Sequence, residues 1–196
     1  MQQFSSAGIY IVQTVFGIYS IIVLLRFLLQ TSRADFYNPA SQFVVKATNP
    51  ILIPLRRVIP GFGGIDIASL VLLFAINYLQ IILIALMFSG GMPNLAIVAG
   101  WAATGIVSLI LNFYFFAIII QIILSWIAPH NHSPALALLY QLTEPIMAPA
   151  RKILPPMGGI DFSPILTFMM IQVLKMILVG TLVQVLQMPS GLLLGM

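Results

Sequence analysis

Four uninterrupted apolar runs constrain this chain more than any other feature. Crossing a hydrocarbon core of about 30 Å takes about 20 apolar residues in helical form. The runs 8–30, 66–88 and 162–187 meet that requirement, and 95–128 exceeds it. Gly100, Trp101 and Gly105 mark the first third of the long run as a separate short surface helix or a tilted extension, with the third span starting near 106. Only 6% of the 196 residues are charged and 61% are hydrophobic, whereas soluble domains are about a quarter charged. A soluble enzyme and a disordered chain are therefore excluded, leaving an integral membrane protein. The first run lacks a basic approach and a small-residue cleavage site, and is too long for a signal-peptide core. It reads as a retained span. Cysteine is absent, which removes disulfides, thiolate metal sites and iron–sulfur clusters.

The basic residues set the orientation. Arg33, Lys46, Arg56 and Arg57 lie between spans one and two, and Arg151 and Lys152 between spans three and four. The N-terminal tail, the 89–94 turn and the tail from Met188 carry none. Positive residues favour the cytoplasmic side. The expectation is a multi-pass protein of the cell inner membrane with both long loops cytoplasmic and both termini periplasmic. The net charge of +4 is too dispersed for a nucleic-acid surface.

The chain is also written twice. Thr48-Asn-Pro-Ile-Leu-Ile-Pro-Leu-Arg-Arg-Val-Ile-Pro-Gly-Phe-Gly-Gly-Ile-Asp66 returns, without a gap, as Thr143-Glu-Pro-Ile-Met-Ala-Pro-Ala-Arg-Lys-Ile-Leu-Pro-Pro-Met-Gly-Gly-Ile-Asp161. Asn38-Pro39 matches Ser133-Pro134, and after a small loop indel Leu25-Arg26-Phe27 matches Leu124-Ser125-Trp126. Each copy is span, basic segment, span, so both enter the membrane in the same sense. The expected fold is an all-α membrane protein: four transmembrane helices from two parallel tandem two-helix repeats, each with an amphipathic, proline-rich cytoplasmic segment. The repeats divide as 1–93 (spans about 8–30 and 66–88) and 94–196 (spans about 106–128 and 162–187). In the basic segments, Asn38 and Ser133 precede proline as helix N-caps. A short helix from Pro39 to about Thr48 puts Phe43, Val44 and Ala47 on one face, and its partner runs from Pro134 to about Thr143. Prolines 50, 54 and 60, and 145, 149, 155 and 156, argue against one long helix. Gly63-Gly64 and Gly158-Gly159 allow a sharp turn, after which Asp66 and Asp161 cap the next span.

These motifs, with Arg33-x-Asp-x-Tyr-Asn-Pro39, resemble the YGGT (YlmG) family of bacterial and plastid membrane proteins, over about 22–80 and 120–175. The resemblance implies small multi-pass proteins tied to osmotic or ionic stress tolerance, to cell division and nucleoid organisation, or in plastids to haem attachment on a b-type cytochrome. It places the osmotic or ion-related role nearest for a chain with two repeats.

Candidate chemistry centres on polar residues inside the spans. Lys175 lies about twelve residues from either end of the last span, too deep to snorkel easily, and intramembrane cations are functional candidates by default. Gln172 and Lys175 correspond to Asn77 and Gln80, and Gln13 to Asn112. A polar seam of Gln13, Asn77, Gln80, Asn112, Gln172 and Lys175 is an ion path or interhelical hydrogen-bond glue. A fixed positive charge there disfavours a simple cation pore. Arg26, one turn from the end of span one, reads as a snorkelling anchor. Arg56, Arg57, Arg151 and Lys152 are candidate contacts to anionic lipid or a partner. His130-Asn-His132 lacks a third ligand and reads as a solvated loop, so no metal, cofactor or catalytic residue is assigned. The functional expectation is a non-enzymatic transporter or transport modulator supporting osmotic or ion homeostasis. The alternative is a scaffold or assembly factor for division, nucleoid or cofactor-assembly proteins. Expected partners are the lipid bilayer including anionic lipid, a second copy as homo-oligomer, and cytoplasmic division or assembly proteins.

Overall fold

The computed structural model describes residues 2–89, 93–127, 133–155 and 161–189. These form α1 (Gln2–Thr31), α2 (Pro39–Val58), α3 (Ile67–Ser89), α4 (Leu95–Ile127), α5 (Pro134–Ile153), α6 (Ser163–Leu174), a π-helical turn (Lys175–Val179) and α7 (Gly180–Val185). Among the described residues, four stretches are long and apolar enough to cross a membrane: Ser6–Thr31, Ile67–Met87, Leu95–Ser125 and Ser163–Val185. The last is α6, the π turn and α7 in one continuous rod. The chain is an all-α membrane protein built from two tandem units of span, amphipathic helix, span.

Packing follows the duplication. α1 pairs with α3 and α4 with α6, α3 joins the two hairpins through α4, and α2 lies against α5. That last contact puts both amphipathic helices at one end of the bundle, as two repeats running in the same sense require. The main core draws Val23, Leu24 and Leu28 from α1 and Leu72, Leu73 and Ile76 from α3. It also takes Val44 and Leu52 from α2, Leu109 from α4, and Leu138 and Leu142 from α5. The amphipathic helices are thus wedged into the spans. A smaller cluster joins Ile118, Met147 and Ile171.

Three local expectations need correction. First, α2 and α5 are single 20-residue helices that run through Pro50 and Pro54, and through Pro145 and Pro149. Each proline removes one hydrogen bond to the carbonyl four residues back. Because the two prolines are themselves four apart, both gaps fall on one face. All four prolines are exposed, so the freed carbonyls point where water can donate to them. Second, α2 buries Ser41, Val44, Thr48 and Leu52 at helical spacing, while Phe43 faces outward at 63% exposure. Third, α4 is unbroken from Leu95, so its first third is no separate helix. A glycine costs about 1 kcal/mol in a helix, and here Gly100 admits a neighbour: an added Cβ would meet the Leu186 side chain at 3.1 Å. The Trp101 indole N–H donates to the Leu186 carbonyl at 3.0 Å, and Val98 and Ala102 pack on Ile81. At about 1.5 Å per residue the helix is about 50 Å long, so it tilts or protrudes from a bilayer.

Between α2 and α3 the chain reverses in two residues. Gly63 and Gly64 both have positive φ, 60° and 84°, and Phe62 and Ile65 exchange backbone hydrogen bonds at 3.2 and 3.0 Å. This is the geometry of a type I′ turn, which glycine adopts without steric cost. The equivalent Gly158-Gly159 lies outside the described residues.

Candidate functional site

The turn brings Arg56, in the last turn of α2, onto Asp66 at the start of α3. An Arg56 Nη2 hydrogen bonds to Asp66 Oδ2, as does the Ser69 hydroxyl. The Ser69 amide donates to Oδ1 at 3.3 Å, so the carboxylate caps α3 and anchors α2 together. Burial by itself pushes the Asp66 carboxyl up. The Arg56 guanidinium and the Ser69 hydroxyl and amide outweigh it and hold the group below the usual carboxylate range. The Asp66 side chain is 3% exposed.

The second repeat builds the same latch with different surroundings. Arg151 Nε donates to Asp161 Oδ2 at 3.4 Å. Its Nη1 donates to both Glu144 oxygens, at 2.9 and 2.8 Å. The Ser163 amide donates to Asp161 Oδ1 at 2.8 Å. Burial pushes the Asp161 carboxyl up too, and Ser163 and Arg151 bring it below the ordinary range. Asp161 is 37% and Glu144 50% exposed. Arg57 and Lys152, beside the latch arginines, are exposed.

Arg26 does not extend outward from the bundle as a snorkelling anchor would. It is 7% exposed, with its guanidinium over the Phe36 ring at 5.0 Å and within the field of Arg56 and Asp66. Its Nε and Nη1 find no hydrogen-bond acceptor among the described residues. The first latch is therefore one arginine–aspartate pair with a buried second guanidinium nearby. The second holds one guanidinium and two carboxylates, because Ser125 stands where Arg26 does and Glu144 where Asn49 does. Sequence reasoning missed both the pairing and the buried guanidinium beside it. The available signal was the ten-residue interval from Arg56 to Asp66, repeated from Arg151 to Asp161.

Within the spans, the polar residues fall into hydrogen-bonded clusters. Lys175 Nζ donates to Asn112 Oδ1 at 2.7 Å, and Asn112 Nδ2 reaches Ser108 Oγ at 3.5 Å. Asn77 Nδ2 donates to the Leu73 carbonyl at 2.9 Å and reaches Ser20 Oγ at 3.5 Å. Gln80 is buried on α3, and Gln13 half-buried on α1. Lys175 opens the π turn, and with Gln172, Thr181 and Gln184 it lines an open groove of about 420 Å³. His130-Asn-His132 lies outside the described residues, among which no group of three or more His, Asp and Glu could hold a metal.

The amphipathic helices are joined across the repeats by polar contacts. Asn38 Nδ2 donates to the Pro134 carbonyl at 2.6 Å, while its Oδ1 caps α2 through the Ala40 amide. The Asp35 amide donates to Gln141 Oε1 at 2.8 Å. The Thr143 hydroxyl donates to Gln121 Oε1 at 2.8 Å, fixing α5 on α4.

Comparison with known proteins agrees with the duplicated architecture. The family model described as CCB3/YggT matches twice, over residues 5–87 and 100–182. A protein of Pseudomonas aeruginosa is 47% identical over 189 residues, covering 96% of each chain. The protein YggT of Escherichia coli K12 is 37% identical over 167 residues, 85% of this chain and 86% of its own. The chloroplastic Arabidopsis thaliana protein CCB3, named for cofactor assembly of complex C, is 37% identical over 93 residues, 46% of this chain and 48% of its own. No solved structure matches. With the family pattern matched in both halves and full-length relatives of this identity, the chain belongs to the CCB3/YggT family of membrane proteins.

Proposed function

We propose that the protein is a non-enzymatic scaffold or assembly factor of the inner membrane. Its working surface is the paired amphipathic helices α2 and α5, held on the cytoplasmic side. One observation carries this reading: α2 and α5 pack on each other, and each is tied to the following span by an arginine–aspartate latch. Two helices free to lie separately in the headgroups would need neither tie. Arg57 of α2 and Lys152 of α5 are exposed, as are Phe43 of α2 and Tyr37 just before it, basic and aromatic groups suited to an anionic lipid surface or an acidic partner. The name of the Arabidopsis relative, which refers to cofactor assembly, supports the same role.

The native chain has no cysteine, so Arg57→Cys and Lys152→Cys can be probed singly with a membrane-impermeant maleimide. Both are expected to react only from the cytoplasmic side; labelling from opposite sides overturns the platform. Arg57→Gln with Lys152→Gln, inserted in the native direction, is expected to weaken complementation of a deletion strain. Full complementation would remove these cations from the function.

Transport remains the second reading, favoured by the Lys175–Asn112 contact beside a π turn, a feature that recurs at functional sites. It requires ion flux in liposomes that changes when Lys175→Leu is introduced. A folded protein without flux in either form eliminates it.

A further inference from the structure

The two latches differ at two aligned positions, Arg26 against Ser125 and Asn49 against Glu144, and beside the first of these the second repeat is open. In the first repeat the buried Arg26, at the end of α1, lies over Phe36 near the Arg56–Asp66 pair. In the second repeat the aligned position is Ser125, at the end of α4. There the structure has a cleft of about 580 Å³ between α4, α5 and the start of α6. Ser125, Gln121, Tyr140, Arg151, Asp161 and Phe162 are among its walls. We infer that this cleft binds a guanidinium group supplied from outside the chain, in the position that Arg26 fills in the first repeat.

Three features of the walls favour that occupant. Charge is the first. Asp161 is in the cleft wall, and its Arg151 is shared with Glu144 just outside it, so these three groups together carry one surplus negative charge beside the open position. Ring faces are the second: Tyr140 and Phe162 stand in for Phe36, and a planar guanidinium stacks on such rings. Hydrogen bonding is the third. Gln121 Oε1 takes one bond from Thr143 and keeps a second lone pair, and the Ser125 hydroxyl can accept as well. A sodium ion would use the carboxylates but neither ring. This binding is independent of the platform reading, since the cleft could fill in a scaffold or a transporter alike.

The guanidinium could belong to a free cation or to an arginine side chain of a peptide. Both sources are tested on the full-length protein in nanodiscs by calorimetric titration, with agmatine as one probe and a short arginine-containing peptide as the other. Saturable binding of at least one probe is expected, reduced tenfold or more by Asp161→Asn and abolished by Ser125→Arg. The latter variant is also expected to raise the melting temperature, because it rebuilds the first repeat's arrangement. Equal affinities assign the site to free guanidinium compounds, and tenfold tighter peptide binding assigns it to a partner's arginine. Absence of binding by both probes, or binding that Ser125→Arg leaves intact, overturns the proposal. So does competition by sodium at the same concentration as agmatine.

Discussion

The two repeats carry the same arginine–aspartate latch in opposite electrostatic settings. In the first, Asp66 is buried and pairs with Arg56, with the buried Arg26 nearby. In the second, Asp161 is more than a third exposed and shares one cation with Glu144. Duplication preserved the geometry of the tie, while the surplus charge changed sign. Where the latch is sealed, the aspartate is structural; where it opens onto a cleft, the same residues are left accessible for binding.

The sharpest way to break this comparison is to neutralise each aspartate in turn. Asp66→Asn removes a buried carboxylate from a half-buried Arg56 and from the neighbourhood of the buried Arg26. Breaking a fully buried pair costs about 3–5 kcal/mol, and this loss is expected near the lower end. Asp161→Asn leaves Arg151 with Glu144 at a partly exposed site, where an ion pair is worth less than about 1 kcal/mol. Thermal unfolding in detergent should therefore separate the two variants widely. Equal losses would show that the first latch is not sealed.

Acid sharpens the contrast. Both carboxyls have folded-state pKa values below the unfolded value of about 3.9. Each therefore contributes stability above that pH, lost as pH falls through its lower folded value. The melting temperature of the native protein is expected to drop as pH falls from about 5 toward 3. Asp66→Asn should flatten that drop more than Asp161→Asn, since the Asp66 carboxylate is the more deeply buried of the two ion-paired groups. An unchanged slope in Asp66→Asn would place the acid sensitivity elsewhere.

The spans offer a third comparison, between Gln80 of the first repeat and Lys175 at the matching position of the second. Only the second is a cation, and Asn112 accepts its hydrogen bond. Asn112→Leu strands that cation among apolar helices and is expected to cost about 1–2 kcal/mol. Lys175→Met removes cation and need together, so it should cost less than half as much. The double variant should then unfold no earlier than Asn112→Leu alone. Additive losses would mean that the 2.7 Å contact carries no coupling.

Much of this architecture was legible because lipid permits few solutions. Apolar runs of about 20 residues become helices, and the constant interval between Thr48–Asp66 and Thr143–Asp161 fixes two like units. Proline was misleading for a local reason: its cost depends on whether the freed carbonyls can find water, and Pro50, Pro54, Pro145 and Pro149 all lie on exposed faces. Gly100 misled similarly, since a residue that loosens an isolated helix also admits a neighbour such as Leu186. Arg26 was the larger miss. Distance from the span end suggested a reach to the headgroups, but the direction of a side chain depends on which helix lies beside it. The seam residues were placed on the correct helices, yet no sequence period tells that Lys175 meets Asn112 while Asn77 turns to Ser20.

The smallest expected effect concerns one bond beside the caps. Asn38 and Ser133 occupy equivalent positions and both cap their helices, Asn38 through the Ala40 amide at 3.0 Å and Ser133 through the Leu136 amide at 3.3 Å. Asn38 also reaches across the repeat boundary, donating to the Pro134 carbonyl. Loss of a cap costs about 1 kcal/mol, and a neutral hydrogen bond adds about 0.5–1.5 kcal/mol. Asn38→Ala should therefore lose the cap and the cross-repeat bond together, about 1.5–2.5 kcal/mol. Asn38→Asp separates the two contributions: it retains a capping oxygen but cannot donate to Pro134, so it should lose only the smaller increment. If Asn38→Asp matches the native protein in thermal unfolding, the α2–α5 contact is held by apolar packing alone, and the cross-repeat bond adds nothing to the rigidity of the pair.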